Sequence, residues 1–427
     1  MKKYEELASR LRTGILQGSP PTGEKLPSLR VLAAREGLSL TTAQHAYDQL
    51  EAEGLIEALP RSGYRVLADS EQRARRSRLL QAPEARPLPR PLHDLRSGTL
   101  DIDLFEVPVW NRLLRQGLDD PSIVSYGDPQ GDPRLRRALA GYAWRQRGFV
   151  CLPEEILIAS STQSLLYIAG SLLPGPHVVG MERPHGEMAR AFASLGWQVI
   201  APDFEKMDIL YLNTACCGPE EKALEAGEAR RIIRLAEEHD VLIIEDDYNG
   251  ELTYRSPGRP ALASFARAGR VLYCGSFSRL LLPSVRLSYI VLNPAMKALY
   301  EARKGEYAPT AGQLEQLALA AYIEQGLFEK HLRPLRREYR TRSLALEQAL
   351  QKHWNGSFRL REAYLSYVLE GPELKGTSEI AVSRPKPDGQ PLSFASLPAA
   401  QAETVVQKLL SSQQEENAAF QAESSVR

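Results

Sequence analysis

The hydrophobic positions divide the chain into blocks with different periods. In residues 1–67 they recur at helical spacing. Tyr4, Leu7, Leu11 and Ile15 fall on one face of a first helix, and Ala43, Ala46 and Leu50 form the buried stripe of a third. Between them, Ser28 after Pro27 reads as the N-cap of a second helix and Gly37 as its stop, while Ser39, Thr41 or Thr42 caps the third. Two helices joined by a short glycine-containing turn make a helix-turn-helix. After Gly54, LIEALPRSGYRV reads as strand, turn and strand with Ser62-Gly63 at the tip, which is a wing. From residue 96 to 411 strand-like runs alternate with helical stretches, the signature of an α/β fold. Residues 68–95 between the blocks carry Arg73, Arg75, Arg76 and Arg78, then Pro83, Pro87, Pro89 and Pro91, and read as an extended linker. Residues 412–427 are polar and expected to fray.

Within the α/β block, SYGDPQGDPRLRRALAGYAWRQRG (125–148) pairs a Gly/Pro turn with an amphipathic helix. EILIASSTQSLLYIAGSLL (155–173) reads as strand, small-residue turn and helix. HDVLIIEDDYNGELTY (239–254) is a buried strand ending in acids, and RVLYCGSFSRLLLPSVRLSYIVL (270–292) is two apolar strands around a serine-rich loop. Their polar ends are expected at one edge of a sheet, where α/β folds hold phosphate.

Composition narrows the classes of function. With 43% hydrophobic and 25% charged residues in 427, wholesale disorder and a coiled coil are excluded. Lys+Arg and Asp+Glu balance at 53 each, so contact with nucleic acid must be local. Residues 1–66 hold nine basic against eight acidic side chains, and the linker arginines are expected to supplement them. Cys151, Cys216, Cys217 and Cys274 have neither disulfide-framework nor zinc-ligand spacing, so no metal site is expected. The N-terminus mixes charged and apolar residues unlike a signal peptide, and no apolar run approaches the ~18 residues of a membrane span. The expectation is a cytoplasmic protein without membrane association.

The first block resembles the winged helix-turn-helix of GntR-type bacterial regulators through LPSLR (26–30), SLTTAQHAYDQLEAEGLI (39–56) and RSGYRV (61–66). The resemblance implies a third helix in the DNA major groove and a wing on the backbone or minor groove. Candidate DNA contacts are Arg30, Ser39, Thr41, Thr42, Gln44, His45, Arg61 and Gly63, with Gln44 a bidentate reader of adenine. Leu40 departs from the pattern, which usually has arginine there.

The whole chain resembles the MocR subgroup of those regulators, in which a winged helix precedes a fold-type-I aminotransferase-like domain that uses pyridoxal phosphate. The most specific stretches are SYGDPQG, IIEDDYNGELTY, GSFSRLLLPSVRLSY and residues 308–342. The implied fold is a winged head (1–67), a linker (68–95) and an aminotransferase-like domain (96–411). Within that domain a mostly parallel large-domain sheet spans about 120–300 and a smaller α+β subdomain about 301–411. By the resemblance Asp246 matches the acid on the pyridine nitrogen, Tyr248 the residue on the ring hydroxyl, Ser276 and Ser278 the phosphate-loop hydroxyls, and Arg286 the phosphate arginine. Ser161 and Thr162 lie where a helix N-terminus offers donors to that phosphate.

Arg279 stands where the family carries the lysine that forms the Schiff base, and no lysine occurs between Lys222 and Lys297. That bond needs a neutral primary amine, whereas arginine stays protonated. His185 stands in the loop that should stack on the cofactor, and Pro391 where an arginine should hold a substrate carboxylate. The expectation is therefore a DNA-binding regulator of double-stranded operator sites, with a catalytically degenerate dimerisation or effector domain and no covalent cofactor. Arg279 then either pairs internally with Asp246 or Glu245, or helps bind pyridoxal phosphate non-covalently or another anion. A regulator responsive to non-covalent pyridoxal phosphate and an active aminotransferase are the alternatives. The resemblance further implies a homodimer, and leaves any small-molecule effector unidentified.

Overall fold

The computed structural model describes residues 3–60, 62–67, 91–96, 98–182, 186–214, 224–248, 250–254, 259–267, 269–363, 365–386 and 389–425. The chain folds as two compact units that divide between Arg90 and Pro91.

The N-terminal unit packs α1 (Lys3–Leu16), α2 (Leu29–Glu36) and α3 (Leu40–Ala52) over the hairpin β1 (Ile56–Leu59) and β2 (Gly63–Val66). Leu7, Ala8 and Ile15 of α1 meet Ala43, Ala46, Tyr47 and Leu50 of α3 in one apolar core. Ser28 caps α2 by accepting from the Val31 amide, and Gly37 closes it in the left-handed region at φ 62°, where a side chain would be strained. The hairpin runs in register from Ile56↔Val66 to Leu59↔Gly63, so Ser62 and Gly63 do lie at the tip.

The second unit opens on β3 (His93–Asp94), which pairs in parallel with β13 (Ile380–Ala381). Leu95 is buried there, so the body begins within the segment read from sequence as linker. The remaining elements in order are α4 (Val107–Leu118), α5 (Pro133–Tyr142), β4 (Ile156–Ala159), α6 (Thr162–Leu172), β5 (Val178–Gly180), α7 (Glu187–Ser194), β6 (Gln198–Ile200) and β7 (Ile209–Leu212). Then follow α8 (Ala226–Glu238), β8 (Leu242–Asp247), β9 (Val271–Ser276), β10 (Ser288–Val291), α9 (Pro294–Arg303), α10 (Gln313–Glu324) and α11 (Leu327–His353). The chain ends on β11 (Arg359–Ala363), β12 (Ser366–Glu370), β13, β14 (Gln390–Ser393) and α12 (Ala402–Ser425). The last helix runs through the segment expected to fray.

Seven strands form the central sheet in the order β4-β10-β9-β8-β7-β5-β6, all parallel except β10, which is antiparallel to both neighbours. Successive side chains of a strand point to opposite faces, and the cores record which is which. Leu157 and Ala159, Ile244, Leu272 and Cys274, and Ile290 pack with Leu165, Leu166 and Ala169 of α6. Ile243 lies on the other face against Ala229 and Ile233 of α8, and Tyr273 and Tyr289 lie there in the core shared with Leu332 and Leu335 of α11. Parity therefore puts Asp246 and Ser276 on the α6 face, and Glu245 and Asp247 on the opposite one. The smaller layer is the antiparallel sheet β11-β12-β14, beside α11 and α12.

Candidate functional site

In the head, Ser39 is the N-cap of α3: its Oγ accepts from the Thr42 amide at 3.1 Å and lies 2.8 Å from Thr42 Oγ1. Arg30, Ser39, Thr41, His45 and Gly63 are exposed, and Thr42 and Gln44 are half-buried. The exposed start of a helix with unsatisfied amides suits a DNA phosphate. Gln44 departs from its expected role. Its amide nitrogen donates to Asp48 Oδ1 at 2.5 Å and to the Tyr64 hydroxyl at 3.0 Å. Both donors are spent bracing α3 against the wing, so reading adenine would require breaking that brace. His45 is 3.9 Å from Asp48 and tilts against Tyr4. Lys25, not singled out from the sequence, donates to Ser62 Oγ at 2.6 Å and holds the wing tip. Arg61 lies outside the described residues.

In the body, the registers bring the polar strand ends to one edge. Ser288 pairs with Ala159 on one side and with Ser276 on the other, and Asp246 lies opposite Cys274. Ser161 caps α6, accepting from the Ser164 amide at 3.1 Å, and Thr162 begins the helix half-buried. Ser276 is buried; its Oγ accepts from Ser288 Oγ at 3.2 Å and from the Ser278 amide at 3.4 Å. Asp246 is 8% exposed. Its Oδ2 accepts from the Tyr211 hydroxyl, and its Oδ1 is buried with no hydrogen-bond partner. Burial pushes Asp246 up to about 6, Tyr211 works against that, and the charge of Asp247 adds to it. Burial and the Asp246 charge hold the Tyr211 hydroxyl far above the usual phenol range, so it remains a donor.

Arg279 is half-buried and donates from Nε to the Tyr248 hydroxyl at 2.9 Å, its guanidinium 5.9 Å from the Tyr248 ring centroid. The expected ion pair with Asp246 or Glu245 is not formed. Glu245 points to the other face and accepts from Thr214 Oγ1 at 2.9 Å and from the amides of Leu262 and Ala263 at 2.7 and 2.8 Å. Arg286 is exposed, in the left-handed region at φ 51°. Pro391 pairs with Val368 within the small sheet. His185, Cys216 and Cys217 lie outside the described residues.

Sequence reasoning missed a second polar cluster on the opposite face. Arg147 Nε donates to Asp247 Oδ2 at 2.6 Å, Tyr273 donates to the same oxygen at 2.8 Å, and Tyr142 donates to Glu251 Oε1 at 2.8 Å, all buried. An arginine after an amphipathic helix and an acid two residues beyond the strand give no sign of being partners 100 residues apart. Tyr211 and Ser288 were missed too; a lone polar group in an apolar strand was their only signal.

Pyridoxal phosphate, the group this fold implies, can be tested against these residues. The orphaned Asp246 Oδ1 suits a protonated ring nitrogen, and the hydroxyls around Ser161 and Ser276 suit a phosphate. The anchor does not fit: a guanidinium already bonded to Tyr248 stands where a neutral amine is required. These residues do not fit a covalently held cofactor.

A winged helix-turn-helix followed by an aminotransferase-type sheet with its pyridoxal edge defines the class. Residues 3–66 match the family described as bacterial regulatory proteins, gntR family, and residues 91–369 match aminotransferase class I and II. The chain belongs to the aminotransferase class I and II family and, with its gntR-family head, to the MocR subgroup of GntR-type regulators. It is 28% identical over 382 residues to the probable rhizopine catabolism regulatory protein MocR of Rhizobium meliloti, covering 82% of this chain and 77% of that one. It is 26% identical over 357 residues to the pyridoxine biosynthesis transcriptional regulator PdxR of Corynebacterium glutamicum, covering 81% and 78%. Among solved structures, an archaeal alanine:glyoxylate aminotransferase superposes with a TM-score of 0.66 at 21% identity, over 80% of this chain and 94% of that one. That likeness is one of fold.

Proposed function

We propose that this protein is a DNA-binding transcriptional regulator whose aminotransferase-like body has lost covalent cofactor chemistry. Residues 1–67 read operator DNA through the start of α3 and the wing, residues 68–90 link, and the body from Pro91 onward is a dimerisation and effector module. One observation carries the loss of catalysis: Arg279, at the Schiff-base position, donates to Tyr248 and has no lysine near it in sequence to replace it. The relatives named as transcriptional regulators support the DNA-binding role. Among the described residues no helix is long and apolar enough to cross a membrane, which is compatible with work in the cytoplasm.

Exposed Arg30, Ser39 and Thr41 are the contacts we assign to DNA, with Thr42, His45, Arg61 and Gly63 at the periphery. Arg286, Ser276, Ser278, Ser161 and Thr162 are assigned to an anion at the sheet edge. A two-fold homodimer presents its heads to paired half-sites.

Two measurements test this. Incubation with pyridoxal phosphate followed by borohydride leaves the intact mass unchanged; a covalent adduct overturns the loss of chemistry. Mobility shifts with the DNA upstream of the protein's own gene give a salt-sensitive complex that Arg30→Ala with Thr41→Ala weakens at least tenfold. Unchanged binding by a chain lacking residues 1–67 overturns the assignment of the head.

A further inference from the structure

The α6 face of the sheet edge holds three fixed recognition points of different chemistry. The first is a carboxyl, Asp246, buried with one oxygen unpartnered. The second is the N-terminus of α6, an 11-residue helix, with the hydroxyls of Ser161, Ser276 and Ser278 along the same edge. The third is the Arg279 guanidinium, oriented by Tyr248. Its Nη2 lies toward Gly98, where an added Cβ would stand 3.9 Å away, so nothing bulkier than hydrogen borders the fork on that side of the loop.

These points accept different groups. A buried carboxyl with one orphaned oxygen takes an N–H donor, such as a protonated ring nitrogen, because leaving it unmatched is costly. A helix start flanked by hydroxyls takes a phosphate. A guanidinium is no nucleophile for an aldehyde, but its planar fork matches a carboxylate in two parallel hydrogen bonds. Replacing an amine by this group therefore changes which oxidation level of a ligand carbon the site prefers.

We infer that the site takes a phosphorylated, nitrogen-containing aromatic acid, with its carboxylate on Arg279, its ring nitrogen on Asp246 and its phosphate at the start of α6. This rests on the proposed loss of covalent chemistry at Arg279. The carboxylate occupies the place of the aldehyde, so the ligand is held by charge and can leave without a bond being broken.

The test uses the full-length protein and three probes: pyridoxal phosphate, the alcohol made by reducing its aldehyde, and the carboxylic acid made by oxidising it. Calorimetry is expected to give a Kd for the acid at least tenfold lower than for the other two, with a matching rise in melting temperature. Arg279→Lys should lose that preference at least tenfold. Asp246→Asn should weaken all three probes alike. Equal binding of the three probes by the unaltered protein, or no binding of any, overturns the inference without reference to a variant. Borohydride reduction of the pyridoxal phosphate sample separates the two readings. An adduct on the unaltered protein sinks the loss of covalent chemistry, whereas equal binding with no adduct sinks only the carboxylate preference.

Discussion

Asp246 and Asp247 are neighbours in sequence and opposite in surroundings. Asp246 faces α6 with a single hydroxyl partner and an unpartnered oxygen. Asp247 faces the other core, where Arg147 and Tyr273 share its Oδ2. Only the first has the unmet capacity expected of a ligand site; the second is a structural ion pair. Removing one partner of a buried pair leaves the other charge uncompensated, so Arg147→Ala should cost about 3–5 kcal/mol. Gly250→Ala attacks the same pair by crowding, because a Cβ there would stand 2.2 Å from Asp247 Oδ1 and 2.3 Å from Arg147 Nη2. Urea midpoints of both variants should fall together, and a shift equivalent to less than about 1 kcal/mol in Arg147→Ala would show that the pair contributes little.

At the scale of elements, the head was legible in detail because its signals are local. Ser28, Gly37, Ser39 and the wing tip each act within a few residues, and the structure uses them as read. Gln44 was misread because its partners, Asp48 and Tyr64, depend on how α3 meets the wing. The strand ends of the body were legible as polar residues closing apolar runs. Their faces follow from parity, but the partners on each face do not: Tyr211, Arg147 and the backbone amides holding Glu245 come from distant segments. The linker's end was misplaced because β3 is two residues long and its partner, β13, lies far along the chain. The polar composition of the last residues concealed a helix that continues to Ser425. The cap offers a test confined to one element. Ser39→Ala removes the acceptor for the Thr42 amide and should cost roughly 1 kcal/mol of head stability. It should also weaken operator binding, since the same helix start carries the proposed contacts. Thermal unfolding followed by circular dichroism, with a mobility shift, checks both; loss of binding with no loss of stability would assign Ser39 to DNA alone.

For the whole molecule, the buried acids set how stability follows pH, and they act in two directions. Asp94, Asp128 and Asp132 are held below the usual carboxylate range; burial opposes this, and hydrogen bonds and ion pairs with Arg96, with Lys304 and with Arg134 outweigh it. Their contribution is present above pH ~4 and is lost as pH falls through their lowered values. Glu245 behaves oppositely. Burial, then the charge of Asp247, pushes it up to about 7, against the amides of Ala263 and Leu262. The folded state then holds a proton that the unfolded chain releases near pH ~4.5. Stability from this group is fully present below that value and is lost as pH rises to about 7, and Asp246 adds the same trend up to about 6. The body should therefore be most stable near pH 5 and lose up to about 3 kcal/mol from Glu245 by pH 8. Glu245→Gln removes this titration. Its amide nitrogen would face a backbone N–H, so the variant is expected to be less stable at every pH, and the informative readout is the slope. Denaturant midpoints measured from pH 5 to 8 should fall less steeply in Glu245→Gln than in the unaltered protein, while the loss below pH 4 is retained. Parallel slopes across that range would mean that Glu245 stays ionised throughout, held by Thr214 and the two amides despite its burial.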